Sequence, residues 1–170
     1  MEIRAFRECD AQAWWDFRLE SLTAEPSAFG KSVEEHWAIP VETMAGRFRD
    51  APATNLYLGA FEDSRLAGMA TLIREESEKM RHKGHIYGVY VAPEYRGRGI
   101  GRALIGRLVE LASEDPTLEQ ILLAVATTQH AAKQMYQSFG FETYGTEPKA
   151  MKIGSDYVDE DLMILRLRKD

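Results

Sequence analysis

Short apolar runs, and stretches in which apolar and polar residues alternate, predict seven β-strands along the chain. Two of the runs flank a polar turn at residues 62–65, which predicts a β-hairpin. Another run, at residues 121–126, is typical of a strand buried on both faces. The predicted strands are residues 1–6, 55–61, 66–73, 85–91, 121–126, 141–144 and 157–167, with a connection at 145–156 between the last two.

Apolar residues spaced three and four apart predict about four helices between these strands. Asp10 is suited to cap a helix that ends near Thr23, with Trp14 and Phe17 as core residues, and Pro40 is suited to begin a second helix. Residues 99–112 and 129–139 are the other two, and a glycine closes the last one. Residues 24–39 are predicted to be irregular or briefly helical. The order of elements predicts a mixed α/β domain.

Composition narrows the class of protein. A chain of 170 residues fits one domain spanning residues 1–170, and its 45% apolar content is enough for a core. No apolar run is long enough for a membrane span, and the first residues have no signal-peptide pattern. A single cysteine excludes an internal disulfide, and the four histidines lack metal-ligand spacing, so no metal is expected. These features favour a cytoplasmic location and no membrane partner.

Charge is distributed unevenly along the chain. Residues 79–107 hold seven basic side chains and one acid, a net +6 in a chain of net −6, so the remainder is −12. Six of the 13 glycines lie in the same segment. One basic, glycine-rich segment in an acidic chain indicates a site for an anion and not a nucleic-acid partner.

Three glycines between a predicted strand and a predicted helix are suited to bind phosphate. Gly97, Gly99 and Gly101 let backbone amides approach a ligand, and the first amides of a helix are unpaired and lie at the positive end of its dipole. The segment lacks the Gly-Lys-Ser/Thr of a Walker loop and the glycine spacing of a Rossmann turn. A basic surface loop before a helix is the alternative interpretation.

The same segment resembles a known family. Residues 96–101, Arg-Gly-Arg-Gly-Ile-Gly, fit the Q/R-x-x-G-x-G/A motif of the GNAT superfamily of N-acetyltransferases. Residues 89–97 resemble the strand and turn before that motif. Residues 129–141 resemble the family's later N-x-x-A-x-x-x-Y-x-x-x-G-F helix, with Gln129 where asparagine is usual. The resemblance covers about residues 55–145 and implies a GNAT-like fold: a mixed, mostly antiparallel sheet with a splayed strand pair.

The resemblance implies acetyl-CoA as cofactor and an amine as acceptor. Backbone groups of Val89 and Val91 would pair with pantetheine, and the Val91 N–H would stabilise the developing oxyanion. Gln129 stands where the family often contacts the cofactor. The pyrophosphate would lie on the amides of the glycine turn, with the Arg96 side chain nearby; the turn comprises Gly97, Arg98, Gly99, Ile100, Gly101 and Arg102.

Two catalytic roles follow from the same resemblance. Tyr136 matches the family tyrosine that protonates the leaving thiolate, although a ring packed on the sheet is the alternative. His85 matches the position of the family base, and alternation along the strand predicts that it shares one face with Tyr87, Val89 and Val91. A polar histidine at a strand start is equally compatible with the sequence. Glu75 and Glu76 are rival bases, interpreted as solvated loop acids.

Family acceptor sites draw on the first helices and the late strands. Here those segments offer Phe29, Glu34, Glu35, His36, Trp37, Tyr157, Asp159 and Glu160. The acidic remainder of the chain favours a cationic acceptor, which is a small-molecule or peptide amine such as a polyamine, an amino sugar, a lysine or a protein N-terminus. A homodimer is expected from the family alone.

Two function classes stay open at this point. One is an active N-acetyltransferase, and the other is a non-catalytic acetyl-CoA-binding sensor or assembly module. A generic phosphate-binding α/β protein is a more distant alternative.

Overall fold

The computed structural model describes residues 1–167 and shows a seven-stranded sheet with helices on both faces. The strands lie in the order β1-β2-β3-β4-β5-β7-β6, and every neighbouring pair is antiparallel except β4–β5. The elements are β1 (Glu2–Ala5), α1 (Ala11–Ala24), α2 (Val33–Trp37), α3 (Val41–Asp50), β2 (Leu56–Glu62), β3 (Arg65–Arg74), β4 (Lys83–Val91), α4 (Ile100–Glu114), β5 (Gln120–Ala126), α5 (His130–Gln137), β6 (Glu142–Ile153) and β7 (Asp156–Arg166). The predicted mixed α/β fold class is confirmed.

The final hairpin differs from the prediction. The predicted connection at 145–156 is mostly strand, because β6 continues to Ile153 and pairs with β7 around a turn at Gly154 and Ser155. Pro148 and several charged residues hide the strand pattern in the sequence. They are tolerated because β6 is the edge of the sheet, where it also bulges between Glu147 and Met151.

Two apolar clusters hold helices on opposite faces of the sheet. Leu72, Leu104, Leu108 and Ile121 are almost fully buried in the cluster that packs α4 and α5. The cluster on the other face joins Phe17 of α1 to the sheet, which confirms that residue as core, and Trp14 packs against its edge. Burial of each large apolar side chain stabilises the fold by about 1.5–3 kcal/mol. The sheet therefore separates an α4/α5 side from an α1 side.

A β-bulge in β4 changes which side chains share a face. Thr71 of β3 pairs with Tyr87, whereas Met69 pairs with Tyr90, so β4 contains one extra residue between these pairs. Gly88 lies at this point with φ +62°, which glycine adopts without strain.

The bulge makes the predicted single face wrong. His85 and Tyr87 lie on the α1 side with Tyr90, whose ring packs against Phe17. Val89 and Val91 instead pack against the α4-side cluster, and a methyl of Val91 lies close to α4. Period-two alternation fails because one inserted residue moves every later side chain to the opposite face.

Strands β4 and β5 separate shortly after they begin. Their parallel pairing covers only Lys83–Gln120, Gly84–Ile121 and His85–Leu122. Beyond these pairs the two strands diverge, and the predicted splayed pair is confirmed. Within residues 1–167, no helix is both long enough and apolar enough to span a membrane.

Candidate active site

A cleft of about 1390 Å³ opens where β4 and β5 diverge. Its base is formed by the separated halves of these strands, and its walls come from α1, the segment around α2, α5 and the β6–β7 hairpin. Because the sheet itself is open here, the cleft is reached from both faces.

The backbone of β4 presents polar groups that are not bonded to β3 toward this cleft. The Ala92 N–H donates to the Ala67 carbonyl at 3.0 Å, so beyond the bulge every second residue bonds to β3. Val91 and Val89 are the intervening residues, and their N–H and C=O groups therefore point toward the gap. The Val91 carbonyl accepts a hydrogen bond from Arg96 Nε at 3.0 Å on that side. The predicted pantetheine contacts are thus compatible with the geometry of the strand.

The glycine turn forms a cradle of unpaired amides. Gly97 and Gly99 have φ of +75° and +79°, and the first helical bond of α4 runs from the Ala103 N–H to the Gly99 carbonyl. Within residues 1–167, no hydrogen-bond acceptor is found for the six amides of residues 97–102. A side chain at either glycine would strain the backbone, although the space outside is open. The turn is suited to bind a phosphate at the start of a 15-residue helix.

The three arginines of this turn differ in their contacts with other protein groups. Arg96 forms an ion pair with Glu25 at 3.0 Å in addition to its bond to the β4 backbone. Arg102 donates to Ser138 Oγ at 2.6 Å. Arg98 lies 5.4 Å over the Tyr95 ring and has no carboxylate partner within residues 1–167. Arg96, the predicted phosphate contact, must leave Glu25 or share it, whereas Arg98 carries no such competition.

Glu25 links the two rims of the cleft. Its carboxylate holds Arg96, which follows β4, and lies 3.5 Å from Gln129 Nε2, which follows β5. The predicted cofactor contact of Gln129 therefore competes with a protein contact.

Tyr136 lies on α5 and lines the cleft. Its ring packs edge-on against Phe141, and the residue is only 6% exposed. The ring is therefore packed, as the alternative interpretation of Tyr136 expected. The hydroxyl has no hydrogen-bond partner among residues 1–167, and burial raises the pKa of Tyr136 well above its usual value. The phenol therefore keeps its proton at neutral pH, as a proton donor must.

His85 contacts Glu75, one of the two alternative candidates for the catalytic base. The Glu75 carboxylate lies 3.0 Å from His85 Nε2, and both side chains are about one-third exposed or less. The His85 ring also stacks on Tyr87. His85 is the last β4 residue that pairs with β5, so it lies at the point where the cleft begins. Glu75 lies in the loop after β3 and contacts the histidine, whereas Glu76 is exposed.

The structure divides the predicted acceptor residues into two groups. Those that line the cleft are Phe29, Glu34, Glu35, His36 and Glu160. Trp37, Tyr157 and Asp159 lie outside it: the first two are exposed, and Asp159 accepts a bond from the Lys149 N–H. Neighbouring residues of α2 and of the β6–β7 hairpin line the cleft, but these three side chains point away from it.

Two of the lining residues have shifted pKa values. Burial, with the nearby Glu147 charge, raises the pKa of Glu160. Burial lowers the pKa of His36, whose Nε2 bonds to the Trp15 carbonyl at 2.9 Å. His36 is therefore a neutral packed ring, and Glu160 is more readily protonated than an ordinary glutamate. Within the described residues, no group of three or more His, Cys, Asp or Glu side chains is arranged to hold a metal.

Two residues of α1 were missed as site residues. Trp14 was predicted to be core and Arg18 was not singled out, yet both line the cleft. Each has a buried nitrogen without a partner in residues 1–167, Trp14 Nε1 and Arg18 Nη1. The only signal in the sequence is their spacing of four, which puts them on one face of the helix.

Comparison with known proteins agrees with the fold and the glycine turn. Residues 12–141 match the model of the acetyltransferase (GNAT) family. The chain belongs to this family. GNAT acetyltransferases use acetyl-CoA, and the matched range includes residues 96–101.

Relatives in this family share moderate identity with the chain. N-alpha-acetyltransferase RimI of Mycobacterium tuberculosis is 33% identical over 104 residues, 60% of this chain and 62% of RimI. L-amino acid N-acetyltransferase AaaT of Escherichia coli is 26% identical over 113 residues, 66% of this chain and 68% of AaaT. The chain spans between about a quarter and two thirds of the length of the first curated relatives it matches.

Similarity of fold extends over the whole chain. The structure of yncA from Salmonella typhimurium, solved with acetyl-CoA, has a TM-score of 0.86 and 19% identity. The match covers 100% of this chain and 95% of that one.

Proposed function

We propose that this protein is an acetyl-CoA-dependent N-acetyltransferase that moves the acetyl group to a primary amine by direct attack within a ternary complex. One observation carries the proposal: β4 borders the cleft with outward-facing backbone groups and leads into an unpaired amide cradle, and the cleft wall holds a tyrosine that keeps its proton. A binding module needs the first two features and has no use for the third. The non-catalytic alternative is therefore less well supported.

The residues of the cleft fit acetyl-CoA. The amides of residues 97–102 would hold the pyrophosphate, with Arg98 and Arg96 supplying positive charge. Backbone groups of Val89 and Val91 would pair with the pantetheine arm, which would lie in the gap where β5 diverges from β4. Gln129 would contact the cofactor from the opposite rim.

Acetyl transfer requires a neutral amine and a stabilised carbonyl oxygen. When bound, acetyl-CoA supplies an activated acetyl thioester that an amine can attack. The Val91 N–H would donate to the carbonyl oxygen as negative charge develops there. His85, oriented by Glu75, would accept the proton of the amine. His85 lies six residues, roughly 20 Å of extended strand, from Val91, so the proton would travel through a chain of water molecules.

The leaving thiolate needs a proton, and Tyr136 would donate it from its hydroxyl. A free thiol has a pKa of about 8.5, and burial raises the pKa of thiols as it raises that of the Tyr136 phenol. The same apolar surroundings that keep the tyrosine protonated therefore make the thiolate more basic.

The names of the relatives do not specify one common acceptor. The name of RimI specifies an α-amine, whereas the name of AaaT specifies L-amino acids. Family membership therefore supports an amine acceptor of unspecified class. A homodimer and a cytoplasmic location stay predictions.

Thiol release from acetyl-CoA tests the proposal. The protein is mixed with acetyl-CoA and, in turn, with free amino acids, polyamines, amino sugars and short peptides. We expect release above background with at least one acceptor, together with its acetylated product by mass spectrometry. Tight acetyl-CoA binding without turnover on any of these amines would instead support the sensor or assembly module.

A further inference from the structure

Two buried hydrogen-bond donors on α1 have no acceptor in the described part of the chain. Arg18 Nη1 and Trp14 Nε1 are both shielded from solvent, and no partner for either is found within residues 1–167. Both residues line the cleft. They are four residues apart and so are neighbours on one face of the helix. Indole and guanidinium groups only donate, so a ligand that satisfies both must supply acceptors.

The charge on Arg18 is unusual because nothing in the described chain balances it. Burial alone lowers the pKa of Arg18 from 12.5 to about 10, and no nearby carboxylate opposes this shift. Its guanidinium carbon lies 4.3 Å from the centre of the Phe29 ring. Buried charges in proteins are almost always paired, so this one indicates a partner that arrives from outside.

The acids nearest in the chain are already engaged elsewhere. Asp16 accepts a hydrogen bond from Gln12 Nε2 at 2.9 Å, Glu20 accepts one from the Tyr90 hydroxyl at 3.0 Å, and Glu25 pairs with Arg96. None of the three is therefore free to turn toward Arg18 without breaking another contact. Although the chain is acidic overall, Arg18 has no carboxylate partner within the described residues.

Arg18 also lies beside the proposed reaction centre. Its Nη1 is 3.7 Å from the point that a Cβ on Gly88 would occupy, so the guanidinium lies against the bulge of β4. Gly88 and Val91 are three residues, roughly 10 Å of extended strand, apart. An acceptor with its anion on Arg18 and its amine directed along β4 would span this interval together with the acetyl group. A carboxylate on the same carbon as the amine meets this requirement.

We propose that the acceptor is a free α-amino acid whose carboxylate is bound by Arg18 and Trp14 beside the β4 bulge. This inference rests on the proposed N-acetyltransferase function. The planar guanidinium offers two parallel donors that match the two oxygens of a carboxylate. The acidic composition favoured a purely cationic acceptor, whereas this wall of the cleft favours one with a negative group beside the amine.

Matched acceptors separate the carboxylate from the rest of the molecule. The twenty L-amino acids are assayed for thiol release, and each one that reacts is compared with its amide and its decarboxylated amine. The amide has the more easily deprotonated amine, so amine reactivity alone would favour the amide. We expect kcat/KM to be at least tenfold higher for the amino acid than for either analogue.

Two variants test the assigned donors. Arg18→Gln removes the charge, and Trp14→Phe removes the N–H but keeps an aromatic ring. We expect the KM for the amino acid to rise at least tenfold in Arg18→Gln and less in Trp14→Phe, with an unchanged KM for acetyl-CoA. The KM for the amide should change little in either variant. Arg65→Gln, on the exposed hairpin turn, is the matched control and should behave as wild type.

The outcomes distinguish this inference from the proposed function. Turnover of polyamines or amides at rates equal to those of amino acids would overturn the amino-acid assignment and leave the acetyltransferase proposal standing. Equal losses with amino acid and amide in Arg18→Gln would overturn the carboxylate contact. Absence of turnover with every amine would overturn both.

Discussion

Arg18 should destabilise the protein in the absence of substrate, and replacing it with methionine should raise the melting temperature. Methionine keeps most of the length of the side chain and its contact with Phe29 while removing the buried charge. Because the folded pKa lies below the unfolded value, the penalty on the charged form is present at every pH below about 10.

The size of the effect follows from the pKa of Arg18. A fall from 12.5 to about 10 corresponds to roughly 3 kcal/mol against the charged form. Loss of the attraction between the guanidinium and the Phe29 ring removes about 1 kcal/mol of this gain. Residual contact with water leaves a net stabilisation of about 1–2 kcal/mol. For a chain of this length the melting temperature should rise by about 2–8 °C.

Thermal unfolding followed by circular dichroism, without cofactor or acceptor, measures this change. Arg65→Met is the control for removal of an exposed arginine and should change the melting temperature little. A reactive amino acid at saturating concentration should then raise the melting temperature of wild type and not of Arg18→Met. An Arg18→Met protein that melts at or below the wild-type temperature would refute the reasoning, because the guanidinium would then be satisfied in the folded chain.

Three further predictions concern the catalytic groups and the cofactor turn. Tyr136→Phe should lower kcat about 100-fold or more, because it removes the proton donor, while the KM for acetyl-CoA stays the same. Gly99→Ala should weaken CoA binding in calorimetry, because alanine at φ +79° costs about 1–2 kcal/mol and shifts the cradle amides. His85→Gln and Glu75→Gln should each lower kcat at neutral pH, with activity recovering at high pH as the amine deprotonates without help.

Matched variants serve as controls for these three. Tyr157→Phe changes an exposed tyrosine outside the cleft, and Gly145→Ala changes a glycine that does not have a positive φ. Glu76→Gln changes the exposed residue next to Glu75, the partner of His85. All three should leave the measured constants unchanged. Full turnover in Tyr136→Phe would remove the proton-donor role, and a uniform loss at all pH values in His85→Gln would argue against a base. Unchanged CoA affinity in Gly99→Ala would contradict the binding of the phosphates at the glycine turn.

Local features of this molecule could be predicted because neighbouring residues produce them. The turn at residues 96–101 needs glycine where φ is positive and precedes a helix with an apolar face, so its shape and its suitability for phosphate are visible in the motif. Tyr136 is similarly placed by the helix that carries it and the Gly140 cap that follows. Local backbone preferences and helical periodicity are properties of short segments, and they survive in any fold that uses those segments.

Features that depend on pairing between distant segments could not be predicted in this way. The bulge at Gly88 arises from the register between β3 and β4, and it moved Val89 and Val91 to the face opposite His85. Glu75 became the partner of His85 because the two strands lie side by side. The unpaired charge of Arg18 exists only because folding buries it against that bulge and leaves the nearby acids bound to other groups. Burial and partner choice are properties of the assembled chain, so a linear pattern does not contain them.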